Sequence, residues 1–203
     1  MKPRPEIEHI GIYGATCTGK STLARTLSRG NRERRQLIYN PTMHPANWND
    51  GWRPDNRMFL PPGICNPSFI AEQTDDPLIF TDKALSVEQT DIFIDEGADV
   101  LFLSNREAHA MVTKGRHDGN RIILCSQRPH QIAPNAREQC SILYIFRLGK
   151  TDLENVLAGA GFNVRQLPCA PPKRTGECIT VDCISGEVKS GFVPVSEFTA
   201  CVK

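Results

Sequence analysis

The sequence has no hydrophobic run long enough to cross a membrane. Its apolar stretches, such as Ile92–Ile94 and Ile122–Cys125, span a handful of residues, whereas a transmembrane helix needs roughly 20. Residues 1–8 are charged and carry two prolines instead of the apolar centre of a secretory signal. We therefore expect a protein that stays in the cytoplasm of the cell that makes it, with its cysteines as free thiols.

The usual cysteine and histidine patterns of a zinc site are also missing. The chain has 8 cysteines and 5 histidines, but no histidine follows His130. The cysteines near the C-terminus contain no pair with the two-residue gap of a zinc knuckle; they are Cys169, Cys178, Cys183 and Cys201. We expect buried free thiols there.

A strong overall charge is absent as well, since the net charge is +1. The charge is nevertheless uneven, because residues 1–35 carry eight lysines and arginines against three glutamates. The basic run at residues 29–35 is typical of a solvated helix end, and it could also attract the phosphates of a nucleic acid.

Strands and helices are predicted to alternate along the chain. The predicted strands are His9–Tyr13, Gln36–Asn40, Leu78–Thr81, Asp91–Asp95, Arg121–Ser126 and Ser141–Arg147. The predicted helices run from the end of the glycine-bearing loop to about Ser28, over Arg106–Lys114, near Asn135 and over Thr151–Ala158. This alternation predicts an α/β domain with a mainly parallel sheet flanked by helices.

Two regions depart from the alternation. Residues 41–67 contain six prolines and both tryptophans, which predicts a long irregular segment. Near the end, Glu177–Cys183 and Glu187–Val193 flank Ser185 and Gly186, which predicts a β-hairpin. We expect one domain over residues 1–203, with a core at about 8–160 and the hairpin as an appendage at about 161–203.

Residues 14–21 read GATCTGKS and match the pattern G-x-x-x-x-G-K-[ST] of a phosphate-binding loop. The match lies between a predicted strand and a predicted helix, as the binding mechanism requires. Backbone N–H groups of such a loop surround phosphate oxygens, and the following helix points its positive end at the same anion. The predicted nucleotide-binding residues are Gly14, Ala15, Thr16, Cys17, Thr18, Gly19, Lys20, Ser21 and Thr22. Lys20 would bridge the β- and γ-phosphates of ATP, and Ser21 would offer its hydroxyl to Mg²⁺.

A second motif separates a motor from a metabolite kinase. The apolar strand Ile92–Ile94 leads into the adjacent acids Asp95 and Glu96. Asp95 is predicted to hold Mg²⁺ through water, and Glu96 to polarise the water that attacks ATP. A kinase has to exclude water and has no use for the second acid.

A polar residue follows the next predicted strand. Gln127 comes directly after Ser126, where its amide could touch both the γ-phosphate and the attacking water. Eleven positions upstream, Arg116 follows Gly115 at the predicted end of a helix. An arginine there could reach a neighbouring subunit's nucleotide as a trans-acting finger, although an ordinary surface arginine fits the spacing nearly as well.

Three segments together resemble the FtsK/HerA superfamily of DNA-translocating ATPases. They are Ile94–Asp99 (IDEGAD), Lys114–Gly119 (KGRHDG) and Ser126–Pro129 (SQRP). The resemblance covers about residues 10–148. It implies a RecA-like (ASCE) P-loop fold, ATP and Mg²⁺ as cofactors, and a ring, usually a hexamer, closed around double-stranded DNA. It also implies that Glu96 is the catalytic acid, Gln127 the sensor and Arg116 the trans-acting finger.

The chain is similar in size to the genome-packaging ATPases of membrane-containing icosahedral viruses, a branch of that superfamily. We expect neither the membrane span and winged-helix module of cellular FtsK proteins nor the N-terminal barrel of HerA in this chain. The resemblance therefore implies a viral packaging motor in the host cytoplasm or the virion, with a capsid or membrane vertex protein as partner.

Two other functions stay open at this point. A P-loop kinase of a nucleoside or another metabolite would need a mobile arginine-rich lid, for which Arg53–Arg57 is the best candidate. A nucleotide-bound scaffold on DNA or membrane would not need the set Asp95, Glu96 and Gln127. Arg53, Arg57 and the two tryptophans are candidate DNA contacts, although the tryptophans are more typical of residues that pin a loop to the core.

Overall fold

One sheet carries all the strands that the structure describes. The computed structural model describes residues 7–30, 34–41 and 71–193. The strands are β1 (His9–Tyr13), β2 (Arg35–Tyr39), β3 (Ala71–Thr74), β4 (Thr90–Asp95), β5 (Arg121–Ser126), β6 (Cys140–Ile145), β7 (Glu177–Asp182) and β8 (Val188–Phe192). Their order across the sheet is β3-β2-β4-β5-β1-β6-β7-β8.

Helices connect most of these strands. They are α1 (Lys20–Gly30), α2 (Pro77–Ser86), α3 (Gly97–Val100), α4 (Arg106–Gly115), α5 (Pro134–Glu138) and α6 (Lys150–Gly159), with 3-10 turns at Pro129–Gln131 and Val164–Gln166. Among the described residues, no helix has both the length and the apolarity that crossing a membrane requires.

The six strands from β3 to β6 in the sheet order are parallel, so their carboxyl ends meet at one edge. The strand β5 lies between β1 and β4, and it pairs with both. The loops after β1, β4 and β5 therefore leave the sheet side by side. This edge is where open α/β sheets bind ligands, and it brings together the predicted site residues that follow or end β1, β4 and β5.

Each face of the sheet has its own apolar core. Successive strand residues point to opposite faces, so Ile12 packs with Phe93 and with Ala24 of α1, whereas the neighbouring Tyr13 belongs to the other cluster. That second cluster is the larger one and includes Phe80 of α2. The sheet is thus covered on both faces, as the near-continuous apolar strands predict.

The predicted strand at Leu78–Thr81 is wrong, because these residues lie in α2. The Asp76 side chain accepts hydrogen bonds from the N–H groups of Leu78 (2.8 Å) and Ile79 (3.1 Å), and Pro77 occupies the first helical position. Leu78 is 72% exposed, which no buried strand residue would be. The strand of this region is β3, which begins at Ala71 and pairs with β2.

The other predicted strands and helices are present within one or two residues of their predicted bounds. The predicted hairpin is confirmed too, since β8 pairs antiparallel with β7. It extends the main sheet, because β7 pairs antiparallel with β6. The boundary near residue 161 stays a prediction. The irregular segment at 41–67 lies outside the described residues apart from Pro41.

Candidate nucleotide-binding site

The glycine-rich loop, residues 14–19, is anchored at its start to the strands on both sides of β1. The N–H of Gly14 donates to the carbonyl of Ser126 at 3.2 Å, and the N–H of Ala15 donates to the carbonyl of Arg147 at 2.8 Å. A Cβ on Gly14 would lie 2.7 Å from the Cβ of Phe146, so a larger residue does not fit there. The loop therefore begins at a fixed position against β5 and the end of β6.

The rest of the loop leaves its amides available to an anion. Among the described residues, no backbone acceptor takes a hydrogen bond from the N–H of Thr16, Cys17, Thr18 or Gly19. Cys17 and Gly19 have φ angles of 58° and 117°, which curl the chain before α1 begins. A curl of free N–H groups at a helix N-terminus is a phosphate-binding arrangement.

Lys20 lies inside this curl. Its Nζ donates to the carbonyl of Ala15 at 2.9 Å, and the Oγ1 of Thr18 donates to the same carbonyl at 2.8 Å. Only 7% of Lys20 is exposed, and burial lowers its pKa, while the charges of Asp95 and Glu96 act in the opposite direction. The ammonium can exchange this carbonyl for a phosphate oxygen without leaving the loop.

Ser21 and Asp95 form a pair of oxygen ligands. The Oγ of Ser21 donates to Oδ1 of Asp95 at 3.0 Å. Hydroxyl and carboxylate oxygens suit Mg²⁺, which takes few protein ligands and completes its shell with phosphates and water. In the described ranges, no cluster of three or more histidines, cysteines or acids could hold a metal by itself. The donor set therefore fits a magnesium ion that arrives with a nucleotide.

Glu96 has a left-handed backbone conformation at the start of α3, with φ 99° and ψ 75°. The Oγ of Ser126 donates to its Oε1 at 3.1 Å, which holds the carboxylate against the end of β5. Burial raises the pKa of Glu96, and the Ser126 bond and the Lys20 charge partly offset that rise. The site thus holds a carboxylate with an increased proton affinity beside Asp95.

Gln127 contacts the loop directly. The Oγ1 of Thr16 donates to its Oε1 at 2.6 Å, and the Gln127 side chain is otherwise exposed. The same bond leaves the amide nitrogen of Gln127 as a donor for a ligand.

Arg116 does not lie with these residues. Its Nη2 donates to the carbonyl of Gln139 and, at 3.2 Å, to the Oγ of Ser141. Ser141 is at the start of β6, whereas the loop lies beyond the far ends of the strands, roughly five strand residues or about 17 Å away. Within the described residues, the buried Nε of Arg116 has no hydrogen-bond partner. The role of Arg116 as a trans-acting finger stays a prediction.

Two contacts of the phosphate loop were not predicted from the sequence. The N–H of Gly176 donates to the carbonyl of Thr18 at 3.0 Å, and the Oγ1 of Thr175 donates to the carbonyl of Cys17 at 3.4 Å. No motif marks this turn before β7. Thr22, which is also among the predicted nucleotide-binding residues, is buried in the first turn of α1, and its role with nucleotide stays a prediction.

No protein-family model and no curated protein matches the sequence. The structure is similar to that of the genome packaging NTPase B204 from Sulfolobus turreted icosahedral virus 2, solved in complex with AMPPCP. That comparison has a TM-score of 0.63 and 14% sequence identity, and it covers 93% of this chain and 98% of B204. The complex of B204 with AMP gives a TM-score of 0.65 and 15% identity over the same shares of the two chains.

A bacterial protein shows the same fold in part of its length. ATPases 2 and 3 of Thermomonospora curvata EccC, solved with a signal sequence peptide, match with a TM-score of 0.59 and 14% identity. The match covers 93% of this chain and 37% of that one. At these identities the comparisons show the fold, and at that level they confirm the predicted P-loop class and the resemblance read from the motifs.

Proposed function

We propose that the chain hydrolyses ATP and uses the reaction to translocate DNA, as the motor that packages a viral genome into a capsid. One observation carries the proposal, namely that the carboxyl ends of two other strands, β4 and β5, converge on the phosphate loop and its helix. Ser21 of the loop's helix bonds to Asp95 at the end of β4, and Thr16 of the loop bonds to Gln127 directly after β5. This convergence supplies, in one place, the groups that nucleotide binding and hydrolysis each need.

Nucleotide binding would rest on the loop itself. The amides of residues 16–19, which have no backbone acceptor among the described residues, suit the phosphates, and Lys20 supplies an ammonium inside the loop. Ser21 and Asp95 would hold Mg²⁺, whose chemistry is to neutralise charge that builds up on the phosphates.

Hydrolysis would rest on Glu96. Ser126 fixes the carboxylate of Glu96. The raised pKa of Glu96 makes the carboxylate a stronger base, which favours its role in accepting a proton from the attacking water. Gln127 would orient that water and respond to the loss of the γ-phosphate, because its only described side-chain bond runs to the loop that holds the phosphates.

The two alternatives receive less support. A metabolite kinase would have to keep water out, yet Glu96 is half-buried beside the loop and retains access to solvent. The candidate lid of a kinase, Arg53–Arg57, is outside the described residues. A scaffold without turnover would not need Glu96 and Gln127 held by Ser126 and Thr16.

The similarity to B204, which is named a genome packaging NTPase, supports the choice of DNA as the partner and a virus as the context. The proposal includes a homo-oligomeric ring, taken as a hexamer, in which Arg116 reaches the neighbour's nucleotide. It also includes docking to a capsid or membrane vertex protein, in the host cytoplasm or the virion.

ATP turnover with and without DNA tests the proposal. Wild-type protein should hydrolyse ATP, and double-stranded DNA should accelerate turnover more than single-stranded DNA of equal nucleotide content. The variant Lys20→Ala should lack both the basal and the stimulated activity. Turnover that needs a small-molecule acceptor would favour the kinase, and tight ATP binding without turnover would favour the scaffold.

A further inference from the structure

The turn at residues 173–177, which we name the strap, lies against the phosphate loop. It enters β7 of the C-terminal hairpin, yet its two contacts described above reach the carbonyls of Cys17 and Thr18. The loop is therefore held from a second side, in addition to its anchors on Ser126 and Arg147.

The strap is itself rigidly held. One carboxylate oxygen of Glu177 accepts the N–H groups of Lys173 (2.9 Å) and Arg174 (3.0 Å). The carbonyl of Gly176 accepts the N–H of Val193, just past β8, at 2.8 Å. Gly176 has φ 86°, and a Cβ on it would lie 2.7 Å from the Val193 carbonyl oxygen. The hairpin thus fixes where the strap meets the loop, and only glycine fits at the contact.

The direction of these bonds determines where the loop amides point. In a trans peptide unit, the C=O of one residue and the N–H of the next point in opposite directions. When Thr175 holds the carbonyl of Cys17, the N–H of Thr18 points away from the strap. When Gly176 holds the carbonyl of Thr18, the N–H of Gly19 likewise points away from the strap. Both N–H groups are among those with no backbone acceptor in the described part of the chain.

We propose that Thr175 and Gly176 are positioning residues of the nucleotide site, which orient the amides of Thr18 and Gly19 toward the phosphates of a bound nucleoside triphosphate. The C-terminal hairpin is then a part of the nucleotide site. The inference rests on the proposed function, because it names further residues of the same site. It predicts a change in nucleotide affinity with little change in the chemical step, since the described side-chain hydrogen bonds of Glu96 and Gln127 run to Ser126 and Thr16 and not to the strap.

The first test is the affinity of the full chain for a fluorescent ATP analogue with Mg²⁺. The variant Gly176→Ala should bind at least tenfold more weakly than wild type, because its Cβ pushes the strap off the loop. Its matched control is Gly186→Ala in the turn between β7 and β8. Gly186 also has a positive φ (78°), but a Cβ there meets nothing within 4 Å, so its affinity should stay within twofold of wild type.

The second test uses variants that keep the backbone intact. Thr175→Val removes the exposed hydroxyl without changing the shape of the side chain, and it should raise the KM for ATP about threefold to fivefold while kcat stays near wild type. Thr175→Ser restores the hydroxyl and should restore KM. A purely structural role would lower the thermal midpoint of Thr175→Val and would not give this KM pattern.

The outcomes separate the inference from the proposed function. If wild type binds the analogue and both Gly176→Ala and Thr175→Val bind it equally well, the strap has no positioning role and the inference is wrong. If wild type itself binds no nucleotide, the proposed function is wrong and the inference falls with it.

Discussion

The hydroxyl of Thr16 donates to Oε1 of Gln127 at 2.6 Å, so one hydrogen bond joins the phosphate loop to the end of β5. The two residues are 111 positions apart, and β5 pairs with β1 directly beneath the loop. Any shift of the loop that breaks this bond releases the Gln127 side chain. The bond therefore gives the proposed sensor a physical connection to the phosphates.

The variant Thr16→Val should slow ATP hydrolysis about fivefold, since one hydrogen bond that orients Gln127 is worth about 1 kcal/mol. ATP affinity should change little, because the loop amides are untouched. Thr16→Ser keeps the hydroxyl and should keep the wild-type rate. Steady-state turnover and analogue titration measure the two quantities, and a wild-type kcat in Thr16→Val would show that the bond does not orient Gln127.

The variant Glu96→Gln should bind ATP with Mg²⁺ and fail to hydrolyse it, with turnover at least a hundredfold below wild type. Lys20, Ser21 and Asp95 remain in place, so filter binding should detect trapped ATP. In wild type, turnover should fall as the pH drops through the raised pKa of Glu96, because a protonated carboxyl cannot accept a proton. Near-wild-type turnover of Glu96→Gln would remove Glu96 from the mechanism.

The variant Arg116→Ala should bind ATP normally and hydrolyse it roughly a thousandfold more slowly, if the arginine completes the neighbour's site in the ring. Mixing Arg116→Ala with Glu96→Gln subunits creates some interfaces with both groups intact. The mixture should therefore regain part of the ATPase activity that each variant lacks, under conditions in which subunits exchange.

The control for that mixture is Arg137→Ala, which removes another half-buried arginine, from α5. Arg137→Ala protein should hydrolyse ATP on its own. Mixing it with Glu96→Gln subunits should give no more ATPase activity than the Arg137→Ala subunits contribute by themselves. Absence of recovery in the Arg116 mixture, together with a monomeric protein at the working concentration, would favour the kinase. Equal losses in Arg116→Ala and Arg137→Ala would point to a packing role for both.

His9 should make the free energy of unfolding depend on pH. Its Nε2 donates to the carbonyl of Val112 (3.0 Å) and its Nδ1 accepts the N–H of Ile122 (3.2 Å), so the neutral ring satisfies both partners. Burial, together with the Arg116 charge, lowers the pKa of His9 from 6.5 to about 4. The unfolded chain then binds the proton more readily than the folded protein. The contribution of His9 to the free energy of unfolding is therefore complete above pH 6.5 and is lost as the pH falls toward 4.

Acidification from pH 6.5 to 4 should lower the free energy of unfolding by on the order of 3 kcal/mol through His9. Urea denaturation at several pH values between 4 and 7.5 measures it, with His9→Gln as the variant that keeps a donor and an acceptor but cannot titrate. Wild type should lose stability more steeply than His9→Gln on acidification. Parallel curves would show that His9 is protonated equally in the folded and unfolded states.

Much of the fold follows from the sequence because local patterns determine it. The strands β1, β4 and β5 are short, mainly apolar runs that lead into the predicted site residues, and the order of motifs along the chain predicts which loops meet. The strand predicted at Leu78–Thr81 was wrong, because a run of three apolar residues followed by a threonine has no clear period. The sequence Asp76-Pro77 was the better signal, since it caps and starts a helix.

The missed parts of the site depend on contacts between distant segments. Thr175 and Gly176 belong to a turn with no motif, and the pairing of β7 with β6 carries that turn to the loop. The bond from Ser126 to Glu96 likewise needs the neighbouring positions of β4 and β5. Side-chain patterns predict helices, strands and motifs, whereas these contacts depend on where the folded sheet places the contacting residues.

The contact between Thr175 and Cys17 spans 158 positions of the chain. Ribosomes add about 5–20 residues per second, so the strap is made roughly 8–30 s after the loop that it holds. A nascent chain therefore carries the complete glycine-rich motif while its Cys17 and Thr18 carbonyls still lack their final partners. If the strap positions the loop amides as proposed, full nucleotide affinity is acquired late in synthesis, and ATP then stabilises the molecules in which the last strands have joined the sheet.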